Sequence, residues 1–262
     1  MKKIWLILLI IVILIGIGVG SFLFIKNKNK VTEEDTLGNK KTQETTIETP
    51  LADRPFVVLI PRADGKEFTM EINRIKNTKT IEYELVYLSQ GLSRGVIGSI
   101  ETNGETNVSR KMLLGSCSKD VCKYDEGVEE GTLTLRFRGT DGVRKFTADF
   151  HLQQGKQDLV SMDGKFKLNG KFSSTTYYLT MSTIGLPEEI TAKVVGGPYG
   201  IFTAGSSTVK NVSLTLGLDE QLDTAKLLLF NGKSSIEQTG VKIDNGNLIG
   251  TVNSLGTFFA TE

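Results

Sequence analysis

Histidine and tryptophan each occur once in this chain of 262 residues, cysteine twice and proline five times. One histidine, His151, and two cysteines, Cys117 and Cys122, fall short of the four ligands that a structural Cys/His zinc cage needs. The single tryptophan, Trp5, lies in an apolar N-terminal run. The rest of the chain therefore lacks both the buried Trp of true immunoglobulin domains and an indole platform for carbohydrate. A surplus of charge of either sign is also missing, because from Arg54 to Glu262 the 24 Lys and Arg balance 24 Asp and Glu. That excludes nucleic acid as a partner, since neutralising phosphates takes a concentrated basic surface. No cofactor motif is present, and none is expected to bind.

What the chain does have is one unbroken apolar run, Ile4 to Ile25, flanked by Lys2 and Lys3 before it and by Lys26, Lys28 and Lys30 after it. A helix over this run is roughly 33 Å long, which matches a hydrocarbon core of about 30 Å. A secretory signal needs only about 7–15 apolar residues ending at small ones. An uncleaved anchor over residues 4–25, behind a short cytoplasmic tail of residues 1–3, is therefore expected to hold the chain in the lipid bilayer. Cleavage after Gly18 and Gly20, before Ser21, is the competing reading and yields a secreted protein. Gly16 and Gly20 form a small-xxx-small pair through which two such helices can pack as a homodimer.

Counting flanking lysines by the positive-inside rule leans toward a cytoplasmic C-terminus. The cysteines argue the other way. In Gly115-Ser-Cys-Ser-Lys-Asp-Val-Cys-Lys123 their spacing suits a small loop-closing disulfide, Cys117 to Cys122, in an oxidising compartment. The C-terminal domains are accordingly expected outside the cytoplasm.

Residues 26–53 are rich in Lys, Thr, Glu and Asn and end near Pro50, the composition of a disordered linker. As a flexible coil it spans about 30 Å. Beyond it, apolar and polar residues alternate with the period of strands, and no stretch keeps a 3.6-residue period. The dipeptides Asp64-Gly65, Asn103-Gly104, Asp141-Gly142, Asn231-Gly232 and Asn245-Gly246 separate such runs and signal hairpins. The fold class is all-β. Seven strands between Phe56 and Leu152 predict a β-sandwich over residues 54–155, of immunoglobulin or fibronectin type, with both cysteines in one loop. The polar stretch Gln153 to Asp158, and the confinement of every arginine to Arg54–Arg144, mark a boundary. Strands from Lys165 to Ala260, including Glu189–Val195 and Ser235–Ile243, predict a second sandwich over residues 156–262. Lys and Pro are expected to blunt the sheet edges.

Several motifs resemble chemistry. Gly91-Leu-Ser-Arg-Gly95 matches the nucleophile-elbow pattern, which would make Ser93 a nucleophile with His151 as its base. The next residues, Val96 to Ile100, alternate like a strand, so the helix an elbow requires is missing. Ser116 and Lys119 match S-x-x-K, which also requires a helix. In Phe146-Thr-Ala-Asp-Phe-His-Leu152, His151 points away from the face of Phe146, Ala148, Phe150 and Leu152 and reads as an exposed strand residue. Asp125, Glu126, Glu129 and Glu130 crowd a loop, but without the spacing of a calcium loop. Asn107-Val-Ser109 and Asn211-Val-Ser213 fit the glycosylation sequon. Tyr177, Tyr178, Tyr199 and Phe202 are the candidates for an interaction surface, with core packing the competing role for most of them.

The stretches Gly197-Pro-Tyr-Gly-Ile-Phe-Thr-Ala-Gly-Ser-Ser-Thr-Val209, Ser213-Leu-Thr-Leu216, Ala225 to Gly232 and Gly250 to Phe258 resemble the β-sandwich module that closes many bacterial surface proteins. They are also distantly similar to the membrane-proximal module of adhesion receptors. Ser254, Leu255 and Gly256 stand where that receptor family has its His-Leu-Ser/Thr cleavage turn, so self-cleavage is not implied. With Lys111 to Cys117 and Met181 to Pro187, the layout resembles uncharacterised single-anchor envelope proteins of small-genome bacteria. That resemblance implies a surface location and no activity. The expected function is a membrane-anchored, surface-displayed, non-enzymatic binding or structural module. Its partner is expected to be an envelope protein or glycan. The alternatives are an envelope serine hydrolase using Ser93 and His151, or an accessory subunit of a secretion or pilus assembly.

Overall fold

The computed structural model describes residues 46–119, 121–155 and 158–262. The apolar run Ile4–Ile25 with Gly16 and Gly20, and residues 26–45 of the expected linker, lie outside the described residues. Among those described there is no α-helix, only one 3-10 turn at Leu51–Asp53, and no helix long and apolar enough to cross a membrane.

In chain order the strands are β1 (Phe56–Pro61), β2 (Glu67–Asn73), β3 (Thr80–Ser89), β4 (Leu92–Glu101), β5 (Val108–Leu113), β6 (Gly115–Ser118), β7 (Val121–Tyr124), β8 (Glu130–Gly139) and β9 (Gly142–Gln154). Then come β10 (Asp158–Val160), β11 (Phe166–Asn169), β12 (Tyr177–Ser182), β13 (Val194–Phe202), β14 (Thr208–Gly217), β15 (Lys226–Phe230), β16 (Ser235–Gln238), β17 (Lys242–Asp244), β18 (Asn247–Ser254) and β19 (Thr257–Thr261). They form a nine-stranded sheet in the order β16-β15-β19-β13-β12-β9-β8-β3-β4, a five-stranded sheet β10-β11-β14-β18-β17, a three-stranded sheet β1-β2-β5 and the hairpin β6-β7. The chain is all-β.

The nine-stranded sheet runs through both halves of the chain, joined where β9 pairs with β12 from Tyr177↔Gln154 to Met181↔Phe150. Side chains alternate across a strand, so each seam strand serves both faces. Leu179 and Met181 of β12 enter one core, and Tyr178 enters the other. The first core lies between β12-β9-β8-β3-β4 and the three-stranded sheet, where Phe68 and Phe150 meet edge to face at 5.2 Å across the layers. The second lies on the opposite face, between β13, β19 and β15 and the five-stranded sheet, with Phe166 stacked on Tyr199 at 5.5 Å. Each fully buried Phe or Leu contributes roughly 2–3 kcal/mol. The two small sheets thus cover opposite faces of one large one.

Four of the five turn dipeptides close hairpins: β1-β2, β8-β9, β15-β16 and β17-β18. Asn103-Gly104 does not, because β4 ends in the nine-stranded sheet and β5 pairs with β2 in the other layer. The expected strand Ser235–Ile243 is two strands in different sheets, separated where Gly240 takes a φ of 71°. The expected strand Glu189–Val195 is instead loop as far as Lys193. β13 then runs on through Gly196, Gly197 and Pro198, with register shifts against β19. Residues 46–53, assigned by composition to the linker, already lie along the sheet, since Thr46 bridges to Val143 and the Ile47 amide donates to the Val143 carbonyl.

Gln153 is a polar fastening at the seam. Almost wholly buried, it donates from Nε2 to the Asp158 carbonyl at 3.0 Å and accepts the Val160 amide at 2.9 Å, so its side chain stands in for a strand partner of β10. Replacing Gln153 by Ala strands both main-chain groups and should cost about 2–3 kcal/mol. A urea titration followed by circular dichroism checks this through the transition midpoint.

Candidate functional site

Ser93 is the second residue of β4, after a tight turn in which Gln90 and Gly91 have φ of 50° and 77°. It stands on a strand and not on a strand-to-helix elbow. Arg94, Tyr87, Gly131 and Phe150 form one row across β4, β3, β8 and β9. Ser93 and His151 lie one residue to the same side of that row. Two whole strands therefore separate them, roughly 14 Å at about 4.8 Å per strand. A nucleophile and its base must come within hydrogen-bond reach, and this sheet keeps these two apart.

His151 does point away from the first core, but its Nδ1 is bonded to the Val160 carbonyl at 2.9 Å. The face opposite the first core is covered at this point by β10. Ser116 belongs to β6 and Lys119 to the turn after it, with φ of 49°, so the pair is on a hairpin. The disulfide Cys117–Cys122 joins directly opposed residues of β6 and β7, with Cα atoms 4.0 Å apart. Of the acidic loop, Asp125 accepts the Tyr87 hydroxyl at 2.8 Å, and Arg94 lies 4.0 Å away. Burial and that hydrogen bond push the Tyr87 hydroxyl well above its ordinary pKa. Among the described residues no group of three or more His, Cys, Asp or Glu side chains is placed to hold a metal.

The four aromatic candidates divide. Tyr178 and Tyr199 are buried in the second core, which corrects their reading as surface, because the alternation of β12 and β13 turns them under the five-stranded sheet. Tyr177 packs against the first core and over Gly65, where even a Cβ would meet its ring at 2.8 Å. Phe202 borders the cleft beside β1, while Tyr199 lines a separate trough.

Two surface features carry no signal in the order of residues. The first is the edge strand β4, ten residues without Lys or Pro, paired to β3 in unbroken register. The expectation that Lys and Pro blunt the edges fails here. Ile97 is 76% exposed and shares a face with the exposed Val86 and Leu88 of β3. At the sheet's other edge β16 has only four residues. The second feature is a cleft of about 570 Å³ where β1 meets the ends of β13, β15 and β19. Phe56, Val58, Phe202 and Phe230 line it, and Phe56 and Phe230 meet edge to face at 6.0 Å. A larger, more polar trough of about 890 Å³ runs between residues 46–51 and Lys145, Thr147, Ser182 and Thr183. No protein-family model matches the chain, and no curated protein does.

At the far side of the second core, Asp163 accepts the Ser161 hydroxyl at 2.6 Å, the Tyr199 hydroxyl at 2.5 Å and the Lys165 amide at 3.1 Å. Burial works to raise its pKa, but these bonds and the charge of Lys165 outweigh burial and hold the carboxyl below the ordinary carboxylate value. A depressed carboxyl stabilises the fold above its unfolded pKa of about 3.9, and that contribution is lost as pH falls through the folded value. Asp163→Asn should therefore flatten the decline of stability below about pH 4, by about 1 kcal/mol or less since solvent screens the group. Melting temperatures of both proteins between pH 2 and 7 check the sign.

The β6-β7 hairpin pairs with no other strand, so its disulfide acts locally. Chain entropy assigns closure of so short a loop about 2 kcal/mol. Reduction should speed amide exchange across residues 115–124 at least about tenfold while moving the global melting temperature by less than about 2 °C. Hydrogen exchange with and without reductant measures both.

Proposed function

We propose that the chain is a membrane-anchored, extracytoplasmic binding module without enzymatic activity, and that it engages a protein of the cell envelope by strand addition at β4. In this reading the apolar run Ile4–Ile25 is a transmembrane helix, and the polar stretch after it is a tether. The layered halves are two β-sandwiches, the first of immunoglobulin-like type, fused through a common sheet. The single supporting observation is the open edge: a ten-residue strand paired on one side only, whose alternate residues turn their main-chain groups outward, with an exposed Ile97. Natural sheets ordinarily protect such an edge with charge, Pro, a bulge or brevity, and of these β4 has only the charges of Arg94 and Glu101. An extended partner segment binds it through main-chain hydrogen bonds and gains specificity from alternate side chains. The Cys117–Cys122 disulfide supports an oxidising compartment. The hydrolase reading lacks support, since two strands stand between Ser93 and His151.

Crosslinking on intact cells, with mass spectrometry of the products, tests compartment and partner together. Envelope proteins crosslinked to residues 92–101 are the expected neighbours. Ile97→Lys should abolish those crosslinks while changing stability by less than about 0.5 kcal/mol, because the side chain is exposed. Recovery of cytoplasmic neighbours alone overturns the proposal.

A further inference from the structure

We propose that the cleft between β1 and the ends of β13, β15 and β19 is a binding site for a small amphipathic amine, with its apolar body on the aromatic floor and its ammonium group against Glu71. Nothing in the β4 reading is needed for this, since the cleft is built from other strands.

The floor exists because β1 is apolar on both faces. Val57 and Leu59 belong to the first core. Phe56 and Val58 alternate with them, belong to neither core, and are still 6% and 3% exposed. They are covered from the side, where Phe230 of β15 leans on Phe56 and Phe202 closes the wall. Because the two walls come from the three-stranded sheet and from the second half of the nine-stranded sheet, the gap between them is set by how the layers meet. Its volume of about 570 Å³ falls within the range of small-ligand sites, which are mostly apolar with a few polar groups.

Two of those polar groups lack partners. Glu71 stands opposite Val58 in the β1-β2 ladder and lines the cleft, and among the described residues it makes no ion pair or side-chain hydrogen bond. The cation lining the cleft, Arg74, is engaged elsewhere. Its guanidinium donates to the carbonyls of Leu186 at 2.7 Å, Glu188 at 3.3 Å and Ala52 at 2.9 Å. Glu71 is therefore the charged lining group that has no partner of its own. Thr257, 1% exposed and facing away from the second core into which Phe258 points, also lines the cleft, and its hydroxyl has no hydrogen-bond partner. A buried hydroxyl without a partner is costly. An amine carries the positive charge for Glu71 and the N–H donors that such a hydroxyl can accept.

The test uses the full chain in zwitterionic lipid nanodiscs, titrated by calorimetry with 2-phenylethylamine, the neutral isostere 2-phenylethanol and the acid 3-phenylpropionate, with empty nanodiscs as the blank. The amine should bind at least tenfold more tightly than the alcohol, and the acid should not bind. Glu71→Gln should cost the amine at least tenfold in affinity and leave the alcohol unchanged. Phe230→Ala should weaken both amine and alcohol. Thermal melting of each variant confirms that it is folded. Equal binding of acid and amine, an unchanged amine affinity in a folded Glu71→Gln, or no binding of the amine at millimolar concentration each overturns the proposal.

Discussion

The pairing of β9 with β12 is the contact on which the rest of this structure depends. It turns two sets of strands into one nine-stranded sheet, and every other placement is set by the alternation of side chains along that sheet. Met181 and Leu179 must point to one side if Tyr178 points to the other. The first core therefore ends and the second begins on opposite faces of the same strand. Gln153 makes the change of face possible without loss of hydrogen bonding, because its amide occupies the place of a neighbouring strand. A seam of this kind is stiffer than a linker between two free domains, since its bonds belong to the sheet ladder itself.

The staggered layers have consequences at their borders. Where the three-stranded sheet ends, β1 is left beside the second half of the large sheet, and its second apolar face finds Phe230 and Phe202 without filling the space between. Where the large sheet ends, β4 has a neighbour on one side only. Both features arise from a sheet longer than either layer that covers it. Chemical reasoning about single residues does not reach them, because neither depends on an unusual residue type.

Much of the local structure is readable from residue order. Period-2 alternation locates most strands within a few residues, and Asp141-Gly142 and Asn245-Gly246 mark hairpins because their residues tolerate positive φ. Asn103-Gly104 carries the same signal and joins two sheets, since a turn dipeptide specifies a reversal and not which strands pair after it. The strand expected over Glu189–Val195 stops short of Gly196, Gly197 and Pro198, but a bulged strand accommodates them and β13 continues. Alternation correctly turns His151 from the first core, but the cover that β10 lays over it comes from the next layer.

By itself the sequence determined the all-β class, the bond between two cysteines close along the chain and the electrical neutrality of the folded part, because each depends on residue type and short spacing. The β6-β7 hairpin that opposes those cysteines reads in sequence only as a loop. Only the tertiary structure decided that Tyr178 and Tyr199 are core, that Ser93 and His151 stand two strands apart, that β4 is an edge, and that a cleft lies beneath Phe230. The physical reason is that main-chain pairing is blind to side-chain identity. Strand order and layer coverage are thus properties of the whole sheet, and no local stretch of sequence carries them.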